Sequence, residues 1–226
     1  MVDRVSSNAP APRGRPRSAE RRRAVLDAAT DLALTQESLP TVEAVAARAG
    51  VSRTTVYKWW DSCAAVLLEG LLERFHASIE FGDDLPVRDA LTGQVDALVH
   101  LLRDTPAGRL LRQLMAASLA EPATAAALLD RWMEPRRQAA LHHLRRGVAS
   151  GEVRDDVDLD LVVDALFAPA YHRLVWGHGP LDDDLGERTC ALLWPSVTTT
   201  PAPDDTRSAP TARHTRRSSG PTRENP

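Results

Sequence analysis

Apolar positions recur at helical spacing along most of this chain. Between residues 18 and 194 Leu, Ala, Val and Arg dominate, and the alternation of β-branched residues that marks strands is missing. A first helix is predicted from near Ser18, where Ser-Ala-Glu-Arg supplies a cap and an acid in the first turn. Its apolar face is Val25, Ala29, Leu32 and Ala33, and it ends before Pro40. The second starts at Thr41, places Val42, Val45, Ala46 and Ala49 at i, i+3, i+4 and i+7, and stops at Gly50. Ser52 caps a short third helix through Trp59 or Trp60. Asp61-Ser62 caps a fourth that runs to about Ile79 on Val66, Leu67, Leu71, Leu72 and Phe75.

About five more helices follow. One opens at Pro86 with Val87, Leu91, Val95, Leu98 and Leu102 on one face, and after Pro106 comes a stripe of Leu110, Leu111, Leu114, Met115 and Leu119. A long segment from Pro122 carries Leu129, Trp132, Met133 and Leu144 to a stop between Gly147 and Gly151. The penultimate helix, on Leu161, Val162, Ala165, Leu166 and Leu174, should be kinked or broken at Pro169, and the last uses Leu185, Leu192 and Leu193. The ends, residues 1–17 and 195–226, are rich in Pro, Arg, Ser or Thr without apolar period and are expected to be disordered. The organisation is therefore all-α: an arm (1–17), a three-helix head (18–62), a helical body opening with the linking fourth helix (63–194) and a tail (195–226).

Composition changes this picture little until the charge is divided. Of 226 residues, 43% are hydrophobic, enough for a sizeable core. The two cysteines, Cys63 and Cys190, suggest neither a disulfide framework nor a metal site, so a reducing cytoplasm is expected. No signal-peptide pattern and no run of about 18 apolar residues occurs, so no membrane partner is expected. The net charge of −3 splits into ten basic against seven acidic residues over 1–62 and 18 against 24 over 63–226. Seven arginines fall within residues 1–23, a density that attracts phosphate, although a solvated arm is equally well described by it.

The stretch TVEAVAARAGVSRTTVYKWW has the form of two short helices about a tight turn, in which one helix braces across a nucleic-acid backbone and the next enters the major groove. Gly50 supplies positive φ at the turn, while Val45, Ala46, Val51 and Val56 are small apolar residues suited to a close crossing. From Ala24 through Leu72 the chain resembles the DNA-binding domain of the TetR/AcrR family, in Val25-Leu26-Asp27-Ala28-Ala29, Thr41-Val42-Glu43-Ala44-Val45-Ala46 and Gly50-Val51-Ser52-Arg53-Thr54-Thr55-Val56-Tyr57. A second similarity covers Val153 to Leu185, like the closing helices of a regulatory domain of that family.

The resemblance implies roles. Arg53, Thr54 and Thr55 in the first turn of the third helix would read base edges, Arg by bidentate contact to guanine. Tyr57, Lys58, Trp59, Thr41 and Ser52 would hold the phosphate backbone. Trp60 reads as core. The family usually has Pro/Asn-Ser-Lys-Glu at the start of the fourth helix; here it is Asp61-Ser62-Cys63-Ala64, so a phosphate-gripping lysine is replaced by Cys63. The arm holds Arg13-Gly14-Arg15-Pro16-Arg17, similar to an AT-hook core that lies extended in a narrow minor groove, with a generic linker as the alternative.

For the body, the resemblance implies a homodimer formed by the last two helices, a palindromic double-stranded DNA operator with half-sites roughly 34 Å apart or a multiple of that, and a small-molecule effector that releases the DNA. Repression is favoured because occluding a promoter requires no contact with polymerase. Candidate ligand-lining residues are Leu98, Leu102, Met115, Leu119, Trp132, Met133, Tyr171 and His172, for all of which packing is the plainer reading. No cofactor, metal or catalytic role is expected. His142 and His143 are adjacent, His76, His100, His172 and His178 lack i,i+4 partners, and the acidic runs at Asp155 to Asp160 and Asp182 to Asp184 read as loops and caps. The rival readings are a DNA binder blind to ligands and a helical enzyme or scaffold with a vestigial head.

Overall fold

A computed structural model describes residues 15–75 and 82–198. They form ten helices: α1 (Arg15–Thr35), α2 (Val42–Ala49), α3 (Arg53–Tyr57), α4 (Cys63–Phe75), α5 (Val87–Asp104), α6 (Ala107–Ser118), α7 (Pro122–Leu128), α8 (Glu134–Ser150), α9 (Leu159–Trp176) and α10 (Leu185–Val197). A π-helical turn, Leu129–Met133, joins α7 to α8. The extended pairing among the described residues is an isolated antiparallel bridge between Val153 and Thr198. The all-α class expected from the periodicity is what the chain adopts.

Several details differ from the sequence reading, among them the end of α3, which stops at Tyr57 rather than at Trp59 or Trp60. α1 starts at Arg15 rather than near Ser18, because Pro16 is suited to a first helical turn. Arg15 and Arg17 therefore lie on helical backbone and not in an extended arm; Arg13 lies outside the described residues, as do His76 and the expected extension of α4 to Ile79. α9 runs unbroken through Pro169, held by its packing on α5, α6, α8 and α10. α10 continues through Pro195 to Val197, and its end is tied back where Arg154 N donates to Val197 O at 2.9 Å.

The head is α1 packed on α2 and α4, with α3 against α2. α4 leaves the head to lie along α7 and the π turn, and α5 sits at the centre of the body between α6, α8, α9 and α10. Leu110, Leu111, Leu114, Trp132, Leu144 and Leu166 are among its fully buried side chains. The approach of α4 to α1 is close enough that a Cβ on Gly70 would stand 3.0 Å from the Leu26 carbonyl oxygen. At the far end of α1, the guanidinium of Arg109 on α6 donates to Leu34 O at 2.7 Å, Ala33 O at 3.3 Å and Gln36 O. A cation on the last turn's unpaired carbonyls satisfies groups the helix cannot satisfy itself and suits its dipole.

The π turn has a local cause. Pro135 has no N–H to continue the i to i−4 ladder, and the helix widens ahead of it so that Glu134 N donates five residues back to Leu129 O. The Trp132 carbonyl takes a donor from the Arg136 side chain at 3.0 Å.

Gln94, buried on α5, has no partner for either amide atom. A buried amide without hydrogen bonds is costly, and an apolar side chain of similar size removes the penalty. Gln94→Leu is expected to stabilise the protein by about 1 kcal/mol, raising the thermal midpoint by roughly 2–4 °C. Calorimetry checks this, and an unchanged or lower midpoint contradicts it.

Candidate DNA interface and ligand cavity

Each end of the helix-turn-helix is fixed by a local hydrogen bond. Thr41 caps α2, its hydroxyl accepting from Ala44 N at 3.3 Å, and Ser52 caps α3 by accepting from Thr55 N at 3.2 Å. Between them Gly50 adopts φ 67°, ψ 31°, which closes α2 and lets Val51 N reach Ala46 O at 3.0 Å. Val56 is the buried contact of α3 with the head, and after Tyr57 the chain tightens so that Trp59 N and Trp60 N both donate to Val56 O.

With Val56 turned inward, the opposite face of α3 is presented outward. Arg53, Thr54, Tyr57 and Lys58 are exposed together with Thr41 and Ser52, whereas Thr55 and Trp59 are half-buried. Six of the eight expected contact residues are thus open to solvent, while Thr55 and Trp59 are partly covered, the Trp59 ring edge-on to buried Trp60 at 5.7 Å. Arg15 and Arg17 belong to the first turn of α1.

Sequence reasoning did not anticipate the partner of Arg53. Its guanidinium meets the Glu43 carboxylate of α2 at 2.7 Å. The hydrogen bond from Arg53 holds Glu43 below the usual carboxylate range, and Glu43 in turn raises Arg53. Cys63, where a lysine was expected, faces inward and donates from Sγ to Pro40 O at 3.1 Å; burial pushes its thiol up to about 11, so it is neither charged nor a nucleophile at neutral pH. Behind α3, Trp60 donates from Nε1 to Glu69 Oε2 at 2.7 Å. Arg22 of α1 pairs with the same carboxylate and lies 5.1 Å over the Trp60 ring. Arg131 of the π turn reaches Glu69 at 3.4 Å.

The candidate ligand residues are partly gathered and partly scattered. Met133 and Tyr171 line a cavity of about 180 Å³ between α8 and α9, with Arg136, Arg137, Val163, Asp164, Phe167 and Ala168. Trp132 is fully buried beside them, its indole N–H donating to the Tyr171 hydroxyl at 3.0 Å. Leu98 and Leu102 are instead core residues of α5. Met115 is half-buried on α6, and Leu119 is 91% exposed because α6 ends one residue before it. His172 is exposed, its ring 4.5 Å from that of His178. Arg136 and Phe167 were missed, although Trp132 and Arg136 stand at the i,i+4 spacing that allows stacking. Among the described residues no group of three or more side chains could hold a metal ion, and no helix is long and apolar enough to cross a membrane.

Replacing Arg53 with Ala is expected to cost roughly 10- to 100-fold in affinity at the preferred sequence and to relax preference at the base it reads. Lys58→Ala should weaken binding to all sequences alike and lower the slope of log K against log salt by about 0.9. Fluorescence anisotropy across a salt series separates the two, and identical behaviour of both variants would count against this division of roles.

The model of the tetracyclin repressor-like C-terminal domain matches residues 82–193. The HTH-type transcriptional regulator YdeS of Bacillus subtilis (strain 168) is 32% identical over 169 residues, covering 72% of this chain and 82% of that protein. The crystal structure of the TetR family transcription regulator SCO0332 is 36% identical with a TM-score of 0.67, over 79% of this chain and 98% of the other. The fold alone is shared with FadR from Bacillus subtilis, solved in complex with stearoyl-CoA, at 18% identity and a TM-score of 0.54, covering 76% of this chain and 97% of that one. With its helix-turn-helix geometry and these relatives spanning head and body, the chain belongs to the TetR family of DNA-binding transcriptional regulators.

Proposed function

We propose that this regulator is a homodimeric repressor that holds a palindromic operator in successive major grooves and releases it when a small molecule enters the body. The observation that carries this reading is the continuity between cavity and head. Met133 lines the cavity, Arg131 of the same π turn contacts Glu69, and Glu69 holds Trp60 and Arg22 behind α3. A ligand that favours one arrangement of that turn shifts the head through these contacts, by as much as its affinities for the two arrangements differ. FadR, which shares the fold and was solved in complex with stearoyl-CoA, supports a ligand-responsive reading here. That continuity also favours a switch over a constitutive DNA binder.

Dimerisation is proposed through α9 and α10. Leu161, Val175 and Trp176 on α9 and Leu192 on α10 are large and exposed, Trp176 by 72% and Leu192 by 79%. Apolar surface of this kind on helices at the end of the chain suits a two-fold helical bundle. The acidic runs have structural work: Asp158 caps α9, and Asp182 and Asp183 pair with Arg173, Arg188 and Arg103. A protein whose partner is an operator is expected in the cytoplasm.

Enrichment of bound duplexes from random DNA should return a palindrome, and a single unpaired half-site would overturn the dimeric reading. Trp176→Arg combined with Leu192→Asp should convert the dimer to a monomer in sedimentation and lower operator affinity at least tenfold. Retention of the dimer would place the interface elsewhere.

A further inference from the structure

The cavity between α8 and α9 contains a charge without a counter-charge. Arg136 is 6% exposed, its guanidinium lies 3.5 Å over the Trp132 ring, and one nitrogen donates to Trp132 O at 3.0 Å. Among the described residues no carboxylate pairs with it. Its neighbour Arg137 is committed differently, answering Asp160 at 2.6 Å and Asp164, which also lines the cavity. A guanidinium has five N–H donors, and isolating it from water without an anion is expensive. Of the other lining residues Met133, Val163, Phe167 and Ala168 are apolar, and the Tyr171 hydroxyl accepts from the Trp132 indole N–H at 3.0 Å.

We propose that this cavity binds a small amphipathic monocarboxylate, with its two oxygens on the Arg136 fork and its apolar body against Val163, Met133 and Phe167. This rests on the reading of the protein as a ligand-responsive repressor and names the effector class. The planar fork matches a carboxylate in geometry as well as charge. A dianion is disfavoured, because Arg137 is already consumed by two aspartates and a single positive charge is left to answer the ligand. Size narrows the class further: about 180 Å³ is slightly more than the roughly 150 Å³ that accommodates benzene. The occupant is a carboxylate on one ring or on a chain of about six to eight carbons. Bound there, it competes with the Trp132 carbonyl for Arg136 and so acts on the π turn whose Arg131 reaches Glu69.

The test is titration calorimetry of the full chain with benzoate and octanoate against benzamide and octanamide, together with anisotropy of a labelled operator. The acids should bind at least tenfold more tightly than the amides. Arg136→Gln should weaken the acids about 10- to 100-fold, and Val163→Phe, which fills the cavity with Arg136 in place, should abolish binding. Equal affinity for acid and amide overturns the proposal, as does no binding of either acid at millimolar concentration or wild-type affinity in Val163→Phe. If the acids bind through Arg136 but leave the operator occupied, the site assignment stands and the release mechanism falls. Release by acids and amides alike has the opposite meaning.

Discussion

One carboxylate joins the part of this protein that meets DNA to the part that contains a cavity. Glu69, half-buried on α4, accepts from Arg22 of α1, from the indole of Trp60 just beyond α3, and from Arg131 of the π turn. Three donors from three segments converge on two oxygens, and bonds to a charged acceptor shielded from water are the strong kind. Because Trp60 is also a core residue of the head, the position of α3 is referred to α4, and α4 is referred to the body. Arg109 adds a second tie by gripping the last carbonyls of α1 from α6. Head and body are thus tied through Glu69 and through the last turn of α1.

What could be read from the residues alone was whatever is written locally. Thr41, Gly50 and Ser52 set the ends of α2 and α3 by bonds that span three to five positions, so the helix-turn-helix and its outward face followed from spacing. The ties just described were invisible for the opposite reason. Arg22 to Glu69 spans 47 positions and Arg109 to Leu34 spans 75, and no periodicity announces such a meeting. The π turn was in principle legible, since Pro135 within a long helical stretch requires some adjustment of the ladder. The cavity was half legible: Met133, on an apolar stripe, and Tyr171, among the candidate ligand residues, do line it, whereas Leu98 and Leu102 on an equally good stripe face the core, because a stripe specifies burial and not what it is buried against.

The body combines rigid and adaptable regions. α5 is enclosed by four other helices, and its buried Gln94 lacks partners. The segment from Pro122 to Ser150 instead contains a widened turn, an arginine stacked on Trp132 and an adjoining space. Packed interiors resist small displacements, so change concentrates where the helical ladder is already irregular. That irregularity lies next to Glu69.

The pairing of Arg53 with Glu43 bears on what either side chain can do next. An exposed ion pair is weakly held, so the arginine is parked and not locked. A carboxylate offers two oxygens and a full charge, so only an acceptor pair or an anion competes with it for the guanidinium. Drawing Arg53 away leaves the Glu43 carboxylate without its cation, so the second helix feels every new contact that the first residue of the third makes.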